Sequence, residues 1–493
     1  MLHVVRLTEG TGRYYLADLA AELELPTPEQ PCATGTWRGE VAAGLGLAGP
    51  VAAGDLGAVL SGANPRTGRA LGSYPAAVHG FDLTFSAAKS VSVVFAMSDA
   101  DRASEVLAAH REAVGSALDY LDARAVSVRR GSGDDRHVEP ARGLVSALFT
   151  HGVSRALDPH LHSHVVVANL THGVDGRWSA LDGRGLFAHG RAAGALYDAE
   201  LRHLLSVRLG VSWSRRQHGR VEVDGIDPVL LGALSRRRAE IRQHLYDHAR
   251  SRGDGLGDVA SRRANAVAWA ATRGPKTEIR SGAALRAQWR RRASDAGWSG
   301  DLGPEPAPTG PLTSGRFRPV ARRSSLDEYR FEASLRSTGK DAVARRDAVA
   351  AWAGALAGGA PARKVVGCID AVVPWGDGVG VAEGSQRVGA VVAPPHLLRA
   401  LGPRPASPDS LARWLDGAAS IDRYRERWLS PGAREPLGVR GTSTELSVMP
   451  VRRLAEHLSL TRELAEIRRQ LGLDMGHDVD RSPRGVERSL GLG

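Results

Sequence analysis

Three histidines are spaced so that their imidazoles can meet in the folded chain. His162 and His164 lie two positions apart in LHSHVVVANLT, a segment that reads as a strand, so both side chains point to the same face. His151 ends the preceding predicted strand, RGLVSALFTH. If the two strands pair antiparallel across the 152–160 loop, the imidazoles converge. Three neutral imidazoles suit a divalent metal ion that keeps open positions for a substrate oxygen.

The metal site has a plainer alternative, because a histidine pair in a strand more often has a structural or surface role. The Asp158-Pro159 turn and the third histidine favour the metal site. His160 faces the same way as His162 but lies at the edge of the loop. We expect it to be a polar neighbour and not a ligand.

Two further residue types could complete the chemistry. Asp82 lies in the apolar strand GFDLTFS, where a carboxylate must have a partner. It is either a strand-end or surface residue, or a carboxylate that orients a metal-bound histidine or accepts a proton from a nucleophile. Tyr14 and Tyr15 are adjacent in a chain with eight tyrosines. Such a pair, taken alone, is typical of packing.

Hydrophobic periodicity predicts the elements that must position these residues. The segment GFDLTFSAAKSVSVVFAMS predicts a strand, a turn and then a helix or second strand, and residues 102–126 and 191–210 have helical spacing of apolar residues. Arginine-rich segments from residue 235 onward predict helices with a basic face, either solvated or in contact with DNA. Beyond a Pro/Gly-rich stretch at 302–319, residues 365–396 predict short strands, and 409–428 and 451–471 predict helices.

Composition restricts the class of protein. The 493-residue chain has a formal charge of +11, which favours an anionic partner, nucleic acid first, although arginine bias from a GC-rich genome is an alternative source. Cys32 and Cys368 are far apart and in no CxxC pattern, which argues against a disulfide scaffold or thiolate metal site and fits a reducing cytosol. With no secretory leader and no run of about 18 apolar residues, we expect a cytoplasmic protein without membrane contact.

Four segments in order resemble the relaxase domain of MobF/TrwC-type conjugative relaxases over roughly residues 1–300. They are the YY pair followed by TWRGEVAAGLGLAGPV, the strand and helix FDLTFSAAKSVSV, the HUH-like metal motif THGVSRALDPHLHSHVVVANLT, and DGRWSALDGRGLF. The resemblance implies an α/β sandwich with a central antiparallel sheet flanked by helices, a C-terminal helical clamp and an extra mixed C-terminal region.

The resemblance also implies an activity. It is metal-dependent, strand-specific nicking of DNA at an origin of transfer by tyrosine transesterification, with a 5′-phosphotyrosyl intermediate that is later rejoined. Tyr14 would be the nucleophile, with Tyr15 as the fallback, and Asp82 the supporting acid. His151, His162 and His164 would hold Mg²⁺ or Mn²⁺, or alternatively Zn²⁺. Candidate DNA contacts are Arg13, Lys89, Arg236, Arg237, Arg238, Trp289 and Arg290, with Lys89 alternatively structural. The partners implied are single-stranded DNA with its adjacent duplex, and proteins of the conjugation machinery.

The chain departs from the family pattern in three ways. Many relatives carry a second tyrosine pair about eight residues later, where this chain has LAAELELP, so we do not expect two tyrosines in one active site. Ser163 stands between the motif histidines in place of a bulky apolar residue, and should be tolerated because it points away from the metal. No GxxxxGK[ST] loop occurs, so neither ATP nor a helicase motor is expected.

Two alternatives stay open at this point. A rolling-circle replication initiator or single-strand transposase uses the same chemistry, but its tyrosine usually follows the histidines. A DNA-binding scaffold that kept the fold is the non-enzyme alternative. We predict a relaxase domain at 1–300, a linker at 301–320, an accessory domain of unknown function at 321–475 and a disordered tail at 476–493.

Overall fold

The computed structural model describes most of the first 298 residues and several later segments. The described residues are 1–8, 35–72, 77–131, 133–154, 156–215, 221–252, 268, 282–298, 343–372, 385–386, 399–402, 408–429, 437 and 450–472. They form two compact units, one drawn from 1–315 and 342–386, the other from 316–341 and 387–493.

Strands and helices alternate irregularly along the first unit. Its strands are β1 (Leu2–Thr8), β2 (Thr36–Arg38), β3 (Val78–Ser86), β4 (Ser127–Arg130), β5 (His137–Pro140), β6 (Ser146–Val153), β7 (Pro159–Ala168), β8 (Thr171–His172), β9 (Trp178–Ser179), β10 (Trp213–Arg215), β11 (Val221–Val223), β12 (Val343–Ala344) and β13 (Ser385–Gln386). Its helices are α1 (Glu40–Gly44), α2 (Ala53–Leu60), α3 (Lys89–Met97), α4 (Ala100–Arg124), α5 (Arg184–Leu209), α6 (Pro228–Ala233), α7 (Arg236–Arg252), α8 (Gly282–Asp295), α9 (Arg345–Ala355) and α10 (Ala362–Val372).

A central antiparallel sheet organises the unit. Within the described part of the chain it has five strands in the order β1-β3-β7-β6-β2. β7 lies in the middle and pairs with β3 on one side and with β6 on the other. The alternation of side chains across each strand therefore gives the sheet two distinct faces. The predicted fold class, helices around a central antiparallel sheet, is confirmed.

One face of the sheet is covered by two long helices. α4 begins at an N-cap, because the side chain of Asp99 accepts a hydrogen bond from the Arg102 amide at 2.8 Å. α5 ends at Gly210, which takes the left-handed conformation (φ 64°) that favours glycine at a helix C-terminus. Phe85 of β3 packs on Tyr197 of α5 with ring centroids 5.4 Å apart. The helices predicted at 102–126 and 191–210 are therefore confirmed.

Among the described residues, the opposite face, which we call the half-open face, is covered only over part of its area. Trp37, Leu56 and Val59 belong to a buried apolar cluster with Ala147, Val166 and Ala168 of the sheet. α1 and α2 thus pack on the far ends of β6 and β7. The other ends of these strands carry polar side chains on the same face.

A helical pair extends the first unit beyond residue 300. α9 and α10 pack against α5, where Arg202 donates to the Ala353 and Leu356 carbonyls at 3.1 and 3.0 Å. Gly359 has φ 74°, and a Cβ there would clash with the Ala199 carbonyl oxygen. The predicted boundary at 321 differs from this arrangement, since residues 342–386 cluster with the first unit.

The prediction of short strands over residues 365–396 is wrong for the first residues of this range. Residues 362–372 form helix α10, in which Val365 and Ile369, four positions apart, are buried. The short apolar segment allowed either interpretation, and packing against a helix decided it.

The second unit contains a helical pair. α11 (Pro408–Trp428) and α12 (Val451–Gln470) pack through Trp414, Ile421 and Leu464, which confirms the helices predicted there. Among the described residues of both units, no helix is long and apolar enough to cross a membrane.

Candidate active site

The strand register brings the three predicted histidine ligands together. His151 of β6 lies directly opposite His162 of β7, and His164 is two residues further on the same face. The ring centroids of the three pairs are 5.3, 5.5 and 5.1 Å apart. One ring nitrogen from each side chain lies within 4.8 Å of the others. The geometry is that of a metal-ligand set, which we call the histidine cluster.

A carboxylate on the neighbouring strand orients one member of the cluster. Nδ1 of His164 donates to the two Asp82 oxygens at 3.1 and 3.0 Å, and the Thr84 hydroxyl donates to Asp82 at 2.8 Å. β3 supplies both residues because Asp82 and Thr84 lie on the cluster side of the sheet. The carboxylate fixes the tautomer in which Nε2 of His164 carries the lone pair for a cation.

The donor set fits a divalent cation. Nδ1 of His162 donates to the His160 carbonyl at 2.9 Å, which again leaves Nε2 as the acceptor nitrogen. Burial, followed by the neighbouring imidazoles, holds the pKa of His162 well below its usual value. Its ring is therefore neutral at pH 7, as coordination requires. A bound cation would be held by His151, His162 and His164.

His160 lies beside the cluster, as the sequence predicted for a polar neighbour. Its ring stacks on that of His162, with centroids 4.5 Å apart and planes at 24°. Burial, and then the charge of Lys89, lowers its pKa to about 4. His160 therefore shapes the environment of His162 through stacking and through its carbonyl.

A buried polar network lies directly behind the cluster, on the helix-covered face. Ser163, between the two motif histidines, hydrogen-bonds Nε2 of His110 at 2.7 Å and the Thr150 hydroxyl at 2.9 Å. Nδ1 of His110 hydrogen-bonds the Tyr197 hydroxyl at 2.8 Å. Sequence reasoning missed this network, although a serine in an apolar strand and a histidine on the apolar face of a predicted helix were its signals.

The residues predicted to contact DNA differ in their exposure to solvent. Trp289 is fully buried and its Nε1 donates to the Leu157 carbonyl at 2.8 Å, so the prediction of a DNA contact is wrong for this residue. Lys89 donates to the Pro159 carbonyl at 2.7 Å, and burial lowers its pKa to about 8, which favours its structural alternative. Arg290 is exposed and stays a prediction as a DNA contact.

The arginines at the start of α7 are also engaged within the protein. Arg236 donates to the Ala156 carbonyl at 2.6 Å while its side chain stays 47% exposed, and Arg237 pairs with Glu240 at 3.5 Å. Both stay predictions as DNA contacts. Arg13, Tyr14, Tyr15 and the side chain of Arg238 lie outside the described residues.

Fold and site together define a class: a protein with a cluster of three histidines that could hold a metal ion on one face of an antiparallel sheet. Residues 8–296 match the family described as TrwC relaxase. The chain belongs to this family.

Related proteins agree with the assignment. Over 179 residues, which are 34% of this chain, it is 36% identical to the multifunctional conjugation protein TraI of Escherichia coli and 34% identical to TraI of strain K12. The chain spans about a tenth of the length of these curated relatives. A copper-bound structure of the conjugative relaxase TrwC with oriT DNA matches 61% of this chain and all of its own, with 29% identity and a TM-score of 0.54. A metal-free TrwC–oriT structure matches over the same shares with a TM-score of 0.52.

Proposed function

We propose that the protein is a conjugative relaxase that nicks one DNA strand at an origin of transfer and later rejoins it. The observation that carries the proposal is the histidine cluster with Asp82 behind His164, found in a chain of the TrwC relaxase family. Structures of TrwC with oriT DNA and with bound metal support the same substrate and cofactor class.

The chemistry is a transesterification at phosphorus. A bound divalent cation, Mg²⁺ or Mn²⁺ with Zn²⁺ as the alternative, would polarise a non-bridging phosphate oxygen and offset charge gained in the transition state. The Tyr14 phenol loses its proton and its oxygen bonds to phosphorus. The bond to the 3′-oxygen breaks, and that oxygen takes up a proton. The phosphodiester energy is retained in the 5′-phosphotyrosyl bond, so rejoining needs no ATP.

The chain's own residues prepare this step. Asp82 keeps His164 in one tautomer and one orientation, and the His160 carbonyl does the same for His162. Partial burial of the cluster removes bulk water from the phosphate and strengthens electrostatic interactions there. Exposed arginines such as Arg290, together with the charge of +11, favour a single strand and its adjacent duplex. Proteins of the conjugation machinery are the further partners we propose.

The decisive experiment is capture of the covalent adduct. The full chain is incubated with supercoiled plasmid carrying a candidate origin and Mg²⁺ or Mn²⁺, and mass spectrometry locates the modified residue. We expect DNA attached through its 5′ phosphate to Tyr14. Tyr14→Phe should abolish the adduct, and the matched control Tyr15→Phe should retain it.

Three outcomes would contradict the proposal in different ways. Attachment at Tyr15 would move the nucleophile by one residue. A free 5′ phosphate without adduct would indicate a hydrolytic nuclease. Duplex binding without cleavage under any of the metals would indicate a DNA-binding scaffold.

A further inference from the structure

The turn that precedes the metal-bearing strand β7 is held by residues from three other elements. Asp158 is 2% exposed, at a depth where a carboxylate is stable only if it is paired and hydrogen-bonded. Its partners come from helices that follow it in the chain by about eighty residues or more. The turn lies four residues before His162.

α7 begins at this carboxylate, and α8 contacts it through a side chain of its last turn. The backbone amide of Arg237, in the first turn of α7, donates to one Asp158 oxygen at 2.9 Å. Asp158 thus caps a helix N-terminus, where a negative charge is stabilised by the helix dipole. The Arg292 guanidinium of α8 donates to the other oxygen at 2.8 Å and also to the Ala233 carbonyl of α6 at 2.7 Å.

The turn itself is held in a conformation that a free loop would avoid. Leu157 has φ 56°, in the left-handed region that is unfavourable for a side chain of this size. Its carbonyl accepts the Trp289 indole N–H at 2.8 Å, and the Asp158 amide bonds the Ser154 hydroxyl at 3.1 Å. On the sheet side, Nζ of Lys89 in α3 donates a hydrogen bond to the Pro159 carbonyl. Strand β7 therefore starts from a point fixed by α3, α7 and α8 together.

The helices fixed in this way carry exposed positive charge. Arg290 and Arg291 of α8 are exposed, and the Arg236 side chain, whose Nε lies 3.6 Å from an Asp158 oxygen, is 47% exposed. Such a surface attracts a phosphate backbone. A single DNA strand can contact these arginines and place a phosphate at the histidine cluster at the same time only if the distance between the arginines and the cluster is fixed.

We propose that Asp158 is a positioning residue that couples the arginine-bearing helices α7 and α8 to the histidine cluster. This rests on the proposed function in that one DNA strand must contact both surfaces at once. Asp158 is buried and both of its oxygens are bonded within the protein, so we assign it no direct contact with substrate or cation. It acts through the start of β7 on one side and through Arg292 and the α7 N-terminus on the other.

The test measures DNA binding and the absorption spectrum of a bound metal ion, and it does not depend on DNA cleavage. Wild-type protein loaded with Co²⁺ is titrated with fluorescein-labelled oligothymidylate, while the cobalt d–d absorption is recorded. For Asp158→Asn we expect about tenfold weaker DNA binding, since a charged partner of a buried pair is lost. Cobalt affinity without DNA should stay as in the wild type. The DNA-induced change in the cobalt spectrum should be lost.

Two further variants separate positioning from general destabilisation. Asp158→Glu keeps the carboxylate and should restore DNA affinity to within about threefold of wild type, and Arg292→Lys should fall between. The control is Asp370→Asn, because Asp370, although its carboxylate is 39% exposed, also pairs with a buried arginine, Arg345, at 2.6 and 2.8 Å on helices behind the sheet. It should lower the melting temperature and leave DNA affinity and the cobalt response unchanged.

Opposite results overturn the proposal. Asp158→Asn with wild-type DNA affinity and a full cobalt response would show that no coupling passes through this carboxylate. If Asp158→Asn and Asp370→Asn lose DNA affinity and the cobalt response to the same extent, reduced stability alone explains the effect. If nicking fails in every protein while the cobalt response still depends on Asp158, the proposed activity is wrong and the coupling stands.

Discussion

The two faces of the central sheet use the same residue type in opposite ways. On the half-open face, Nδ1 of His162 donates to the His160 carbonyl, and Nδ1 of His164 donates to Asp82. On the helix-covered face, His110 engages both nitrogens, one with Ser163 and one with Tyr197. His110 and His162 are both buried, so burial does not separate them. Among the described residues, His110 has a hydrogen bond at each ring nitrogen, whereas His162 has one at Nδ1 only. The number of hydrogen-bonded ring nitrogens therefore separates this candidate ligand from the structural histidine.

This comparison explains why a serine is accepted between the motif histidines. Ser163 belongs to the helix-covered face, where its hydroxyl bonds His110 and Thr150. The usual apolar residue would fill that face by packing alone. Here the buried hydroxyl is satisfied by residues of α4 and β6, so the departure from the family pattern has a local structural compensation.

The largest expected effect comes from removing a ligand on the half-open face. His162→Ala should reduce cleavage by at least about a thousandfold, since a bound cation supplies several kcal/mol of transition-state stabilisation. Cobalt absorption of the purified protein and the yield of covalent adduct measure the loss. A variant that keeps both cobalt binding and cleavage would show that the cluster is not the metal site.

The matched change on the helix-covered face should act on stability. His110→Leu removes the histidine partner of the Tyr197 hydroxyl and one of the two hydrogen bonds of the Ser163 hydroxyl, which keeps Thr150. One unsatisfied buried group costs roughly 1–3 kcal/mol, so we expect about 2 kcal/mol less unfolding free energy. Urea unfolding measures this. Cobalt binding by the folded fraction should be retained, and its loss would show that the two faces are not separable.

The same variant has a second signature in acid. Burial lowers the pKa of His110 from 6.5 to about 3, so the unfolded chain binds a proton more readily than the folded one within that window. Its contribution to stability is complete above pH 6.5 and is lost as the pH falls toward 3. His110→Leu should therefore show a shallower decline in stability over this range than the wild type.

A smaller effect is expected for the carboxylate that supports the cluster. Asp82→Asn keeps a hydrogen-bond acceptor for His164 but removes the charge that raises the basicity of the ligand. We expect metal affinity to fall about 10–100-fold, with much less effect on unfolding free energy. Cobalt titration checks the affinity, and an unchanged dissociation constant would remove Asp82 from the metal site.

The sequence predicted the half-open face better than the helix-covered one. The spacing of His162 and His164 and the alternation along β3 and β7 follow from strand geometry, so the cluster and Asp82 could be predicted from local pattern. The family resemblance supplied the activity, and the adjacent tyrosines lie outside the described residues.

The contacts that could not be predicted join distant parts of the chain. His110 and Ser163 are 53 residues apart, and Trp289 and Leu157 are 132 apart. A histidine on a helix and a tryptophan beside arginines each allow several partners, and only tertiary packing selects one. For that reason Trp289 was assigned to DNA, whereas it holds a turn inside the protein.

The smallest expected effect concerns a second carboxylate, on the helix-covered side. Asp122 of α4 accepts the Leu144 amide at 2.8 Å, and burial raises its pKa from 3.8 to about 6. The unfolded chain therefore ionises first as the pH rises, and wild-type stability falls between pH 3.8 and about 6. Asp122→Asn keeps the acceptor without the charge. It should be more stable than wild type by up to about 1 kcal/mol above pH 6, and equal below pH 4.

Urea unfolding at several pH values, compared with the exposed Glu105→Gln on the same helix, measures this difference. Glu105→Gln controls for the loss of one negative charge from this helix. An Asp122→Asn advantage that is the same at pH 4 and pH 7 would mean that the charge is not its source. The contrast between the two carboxylates would then rest on their hydrogen-bond donors alone. Asp82 on the half-open face accepts from a histidine and a hydroxyl, and Asp122 on the other side accepts from a backbone amide.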